Sequence, residues 1–210
     1  MRVLFPSLCG ILLIQITCST TCQKNGPGSQ RAVNPFQQWL TNTGDTASVT
    51  VHPNDLPVEI GYTFTSSAGG SVVQLGIRLP DTGRTYAVTL WDGVSKASLV
   101  QKNIKVATMG FNYVSLVATN EAVAIQANHS YVISVLMIPQ GLVGAGPAGD
   151  DFFDVERTDR KDIFPMTIGP ITYQHQYSKP SGSASPVFPD NLTSYQNFIN
   201  GICDIGFSSN

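Results

Sequence analysis

A chain of 210 residues with 42% hydrophobic and only 12% charged residues carries enough apolar surface for one well-buried domain and is short for two large ones. The charged fraction is about half of the usual quarter and small polar residues take its place, which suits an extracellular β-protein better than a cytosolic helical enzyme. A formal net charge of -2 gives no basic excess for a phosphate backbone, so nucleic acid is not an expected partner.

Arg2 and the apolar run at residues 3–16 form a short positive n-region and an h-region below the roughly 20 residues a spanning helix needs. The segment therefore reads as an export signal, and no comparable apolar run follows it. The polar break then gives Cys22-Gln23-Lys24-Asn25, which resembles the start of many mature lipoproteins of the Bacteroidetes type. That resemblance implies a signal peptide over residues 1–21, a diacylated Cys22 and a lipid anchor in the membrane. Cys18 is the alternative acceptor, and plain secretion after Ser19 or Thr21 is a third possibility. Gln23 is not the aspartate that retains enterobacterial lipoproteins at the inner membrane, so the analogy implies the outer membrane, with the leaflet open. With Cys22 as acceptor, Cys203 is the one thiol left in the mature chain and no intrachain disulfide can form.

Residues 22–35 are rich in Gly, Pro, Asn and Ser without apolar period, and read as a flexible tether ahead of a domain spanning 36–210. From there the period is two. Ile60, Tyr62 and Phe64 form one strand face and Val73, Leu75 and Ile77 the next, with Ser67-Ala68-Gly69-Gly70 predicting a hairpin turn between them. Val88 and Leu90 lead into the Asp92-Gly93 turn, and further strands follow at residues 99–106, 111–117 and 131–137. Residues 139–149 and 178–191 read as long loops inside the domain. The closing strand is expected at 197–207, with Cys203 and Ile205 facing inward. No ten-residue stretch has helical period and caps. The pattern predicts an all-β fold, a single antiparallel β-sandwich of jelly-roll-like form.

The run from Glu59 through Val72, followed by Leu75-Gly76-Ile77-Arg78, resembles the opening of the bacterial domain of unknown function 4082. Val88-Thr89-Leu90-Trp91-Asp92, Val123-Ala124-Ile125 and Ser130 through Val135 resemble its later strands in order, and Phe188-Pro189 and residues 195–207 match more loosely. The resemblance spans roughly residues 37–207 and implies a secreted β-sandwich module of bacterial surfaces without an established activity. The chain departs from that pattern at Gly110-Phe111, where a Trp is usual, and at residues 137–140, where a His- and Asn-rich loop is usual.

Three kinds of chemistry are worth testing on these residues. Asp150, Asp151 and Asp154 head an acidic segment rich in the oxygen ligands that suit Ca²⁺, but Arg157, Arg160 and Lys161 interrupt it and no EF-hand spacing is present, so a solvated charged loop is the more usual explanation. Trp39, Trp91, Tyr173 and Tyr177 are aromatic candidates for stacking on a sugar, with packing as the competing role; Tyr173 and Tyr177 flank Gln174, His175 and Gln176. For catalysis, the scattered His52, His129 and His175 and the lack of a nucleophile elbow, zinc motif or phosphate loop give no enzyme signature. The expected role is a non-catalytic binding module of the cell envelope, taking glycans or envelope proteins. A structural or protein-interaction lipoprotein of adhesion or assembly is the alternative, and a hydrolase ranks last. No cofactor is expected apart from Ca²⁺ at the acidic segment.

Overall fold

Every second residue is apolar along most of the strands, and that period turns one face of each toward a shared interior. The computed structural model describes residues 32–44, 47–52, 56–138, 150–157, 161–194 and 197–209. The segment expected as a signal, Cys22, most of the expected tether and the expected loop at 139–149 lie outside the described residues. Among the described residues no helix is long and apolar enough to cross a membrane.

The strands form antiparallel sheets that pack together as an all-β sandwich. The seven-stranded sheet runs β10 (Met166–Ile168), β11 (Ile171–Pro180), β2 (Val58–Ser66), β8 (Ser130–Met137), β4 (Thr85–Asp92) and β5 (Ser98–Lys105), with β12 (Asn191–Leu192) beside β11. A four-stranded sheet runs β14 (Ile202–Ser209), β3 (Gly70–Arg78) and β6 (Asn112–Ser115), with β7 (Val123–Ile125) also on β3. The third, three-stranded, runs β1 (Ala47–His52), β9 (Asp150–Glu156) and β13 (Phe198–Ile199). Between the two larger sheets lie Tyr62, Phe64, Leu75, Ile77, Val88, Leu90, Ile133, Val135 and Ile205. Cys203 is buried among them, its Sγ 3.5 Å from the Ile133 carbonyl, and burial pushes its thiol well above the usual range. A thiol so placed packs as a small apolar group.

Two strand expectations need correction. The turn at residues 67–69 does not close a hairpin: β2 belongs to the seven-stranded sheet and β3 to the four-stranded one, so the chain crosses from one layer to the other. Glycine and small polar residues permit either path, and the pairing partners decide it. The closing segment likewise divides, with β13 on β9 and β14 on β3, at Gly201, whose φ is 59°.

Of the residues expected to face the core, Val73 is the one left only half-buried. Gly206 pairs with Gln74 and Phe207 with Val72, which leaves Val73 as an extra residue in a β-bulge. The bulge shifts the phase, so the inward set passes from Ile77 and Leu75 to Val72.

A helix absent from the sequence expectation, α1 (Pro35–Thr43), opens the domain and packs on β14 and β10. Pro35 sits in its first turn, where a missing N–H costs nothing, and the Gly44 N–H closes its end on the Leu40 carbonyl at 3.2 Å. Asn34 holds the N-cap position without a side-chain cap bond. The cap comes from the far end of the chain: Asp204 accepts the Phe36 N–H at 3.2 Å and the Gln37 N–H at 3.1 Å. It also accepts the Ile205 N–H at 2.9 Å and the hydroxyls of Tyr113 at 2.8 Å and Tyr173 at 3.3 Å. Desolvation pushes this buried carboxyl up to about 6, while those donors favour its ionised form. Gly76 makes room for the arrangement, since a Cβ there would lie 2.3 Å from the Tyr113 ring.

Candidate functional site

The outer face of the seven-stranded sheet is covered where strands β2, β8 and β4 meet. Residues 181–190 cross it as a strap. The Ser181 N–H bonds the Pro57 carbonyl at 2.6 Å, and its hydroxyl bonds the Ser185 carbonyl at 3.0 Å. Pro189 lies on Gly61, where a Cβ would come within 2.8 Å of the proline ring, so glycine is needed for the strap to seat. Phe188 meets Trp91 edge-on with centroids 5.8 Å apart. Beneath them the Trp91 Nε1–H donates to the Ser134 hydroxyl at 2.7 Å, and that hydroxyl donates to Glu59. The Val187 N–H reaches the other Glu59 oxygen at 3.4 Å. Burial pushes Glu59 up to about 7, with the two donors pulling the other way.

Beside the strap, the turn from β4 to β5 is tied by one carboxylate. Asp92 accepts the N–H groups of Val94 at 3.0 Å and Ser95 at 2.7 Å, and the Ser95 hydroxyl at 2.9 Å. Its second oxygen lies 2.6 Å from His129 Nε2. These bonds, the Ser95 N–H foremost and His129 next, hold the carboxyl down at about 2. The turn places the Lys96 ammonium 5.2 Å from the Phe188 ring centroid and 3.2 Å from Asp190.

Strand β11 supplies the opposite wall. Its register on β2 slips between Tyr173 and His175, leaving Gln174 as the extra residue. The bulge divides the two tyrosines expected to act together. Tyr173 is fully buried against Phe36 at 4.5 Å and Phe64 at 5.7 Å, whereas Tyr177 is half-buried and faces a groove.

That groove, of about 280 Å³, lies between strap and strand. Tyr177, Phe188 and Pro189 form its apolar wall, and Thr63, Gln174, His175, Lys96 and Asp190 bring polar groups to the same space. A second, more open groove of about 510 Å³ runs along α1 past Asn34, Gln37 and Asn42.

Of the expected aromatic platform, then, Tyr177 alone reaches the first groove. Tyr173 is a core residue that serves Asp204. Trp39 is 7% exposed and packs in the core on α1, and Trp91 is 8% exposed under the strap. The acidic segment expected as a loop is instead strand β9 from Asp150 onward, paired with β1 at His52↔Asp150 and Ser48↔Asp154. Its backbone is extended and does not wrap as a Ca²⁺ loop does. The side chains of Asp150, Asp151 and Asp154 lie outside those described. Among the described residues no group of three or more His, Cys, Asp or Glu is placed to hold a metal ion. Lys96, Asp190, Phe188 and Thr63 were not expected as site residues. The αL conformation of Lys96 is invisible in sequence, while Phe188-Pro189 was legible only as a motif without a partner.

Fold and groove together define an antiparallel β-sandwich with a strapped outer face and one mixed aromatic and polar cleft beside the strap. No family model and no curated protein matches the chain, so the likeness to the domain of unknown function 4082 stands on its motifs alone.

Proposed function

We propose that the chain is a non-catalytic glycan-binding module of the cell envelope and that the groove over Tyr177 is its binding face. The observation that carries this reading is the convergence of a half-exposed tyrosine, a phenylalanine and a proline with several hydroxyl-pairing side chains in one small cleft. An apolar ring face packs on a pyranose, and Asn, Gln, Asp and His groups pair with its hydroxyls. Asp190 is the one carboxylate among the lining residues and is tied to two lysines, whereas glycosidic hydrolysis ordinarily takes a pair of carboxyl groups across the bond. The lipoprotein-like start at Cys22 supports tethering of this module to the outer membrane.

The test is a glycan-array screen followed by calorimetry, run with and without Ca²⁺. Tyr177→Ala removes the stacking surface and is expected to weaken binding of an array hit by about 10- to 100-fold, equivalent to roughly 1.4–2.8 kcal/mol. Absence of any glycan binding in both conditions would remove the carbohydrate reading and leave the protein-interaction role.

A further inference from the structure

Lys96 occupies a conformation that its side chain disfavours. Its φ is 60°, and the other positive-φ residues that are not glycine among the described residues, Asn120 and Asn128, are of the type that tolerates the left-handed region. A lysine there costs stability that glycine or asparagine would spare, and residues held in such a state concentrate at functional sites. The turn is rigidly specified around it. The Lys96 N–H bonds the Asp92 carbonyl at 2.9 Å, the Asp92 N–H bonds the Ala97 carbonyl at 2.9 Å, and the Asp92 side chain ties Val94, Ser95 and His129. The effect is to hold an ammonium at the mouth of the groove, above Phe188.

Beside the groove two lysines meet on one carboxylate. Asp190 lies 3.2 Å from Lys96 Nζ and 3.1 Å from Lys179 Nζ, so two ammonium groups share one carboxylate. The lysine side chains are 52% and 39% exposed, and each ammonium has three donors, more than Asp190 can occupy. Asp190 is held ionised by Lys179 first and Lys96 second. Among the lining residues there is no second carboxylate to oppose an incoming anion.

We infer that the groove selects an acidic sugar, with the ring packed on Tyr177 and Phe188 and its carboxylate taken by Lys96, while Lys179 holds Asp190 beside it. Asp190 stays in place as the acceptor for a ring hydroxyl, and His175 and Gln174 face the remaining polar edge. A cleft of about 280 Å³ is at the small end for organic ligands, which suits one terminal sugar unit of a chain. The inference rests on the glycan-binding reading and names the ligand class of that same site.

The experiment titrates the full chain with tetragalacturonate and with sialyllactose, each beside its methyl ester, at low and at high salt. The acid form is expected to bind at least about tenfold tighter than the ester, with the preference shrinking at high salt as the lysines are screened. Lys96→Gly is the decisive variant. It suits φ 60°, so the turn persists and the melting temperature holds or rises, while the acid preference falls by about tenfold. Tyr177→Ala weakens acid and ester alike. Equal binding of acid and ester, or an unchanged preference in Lys96→Gly, overturns the acidic-sugar inference and leaves glycan binding standing. Failure of both probes while neutral array glycans bind overturns it as well, and failure of every glycan overturns both readings.

Discussion

Asp204→Ala is expected to cost about 4 kcal/mol, a large share of the roughly 5–15 kcal/mol that holds an ordinary domain folded, and to release α1 from the sandwich. The substitution takes the acceptor from three backbone N–H groups and two tyrosine hydroxyls at once. Each buried donor left unpaired costs about 1–3 kcal/mol, and the loss is partial because the cavity admits water and the desolvated charge is gone. Asp204→Asn should be milder. Its amide keeps one acceptor, and the Tyr113 hydroxyl can turn to accept from the new NH₂, but a backbone N–H cannot. Denaturant melts of wild type, Asn and Ala variants at neutral pH check the order. An Ala variant within about 1 kcal/mol of wild type would show that the trans cap does not hold the helix.

Stability should fall as pH rises from about 4.5 to about 8, by roughly 3 kcal/mol from Glu59 alone. The folded-state value of about 7 lies above the unfolded value of 4.5, so the native state binds more protons between them. The stabilisation is therefore fully present below the unfolded value and lost as pH passes through the folded one. Asp204 adds a change of the same sign in a lower window, from 3.8 to about 6. Asp92 acts in the opposite sense, since its carboxyl is held at about 2 and its contribution is lost only in stronger acid. Stability curves measured from about pH 4 to pH 9 should slope downward, and Glu59→Gln should flatten the upper half. A flat wild-type profile across that range would mean that the carboxyl under the strap is solvated.

The alternation of Ile60, Tyr62 and Phe64, of Val88 and Leu90, and of Ile133 and Val135 was legible because apolar side chains on one strand face have few places to go. Bulges were not legible. One extra residue at Val73 and another at Gln174 flip the faces beyond them, and nothing in the local composition marks either. The second of these decided the site, because a strand of strict period two would have put Tyr173 and Tyr177 on one face. The helix carried its signals in Pro35 and Gly44, but at nine residues it was too short to show a period, and its capping carboxylate is 168 residues away from Phe36. Glu59 and Asp204 each sit in an apolar strand, where a charge reads as the solvent side. Only the strap over one and the helix over the other make them buried, and such coverage is a property of the tertiary fold.

The most direct test of the glycan-binding account is amide chemical-shift mapping of the labelled protein with the tightest glycan from the array. The account predicts perturbations gathered at Thr63, Gly93, Lys96, His175 and Tyr177 around the strapped groove. Perturbations confined to Asn34, Gln37, Gln38 and Asn42, along the open groove of α1, would contradict it.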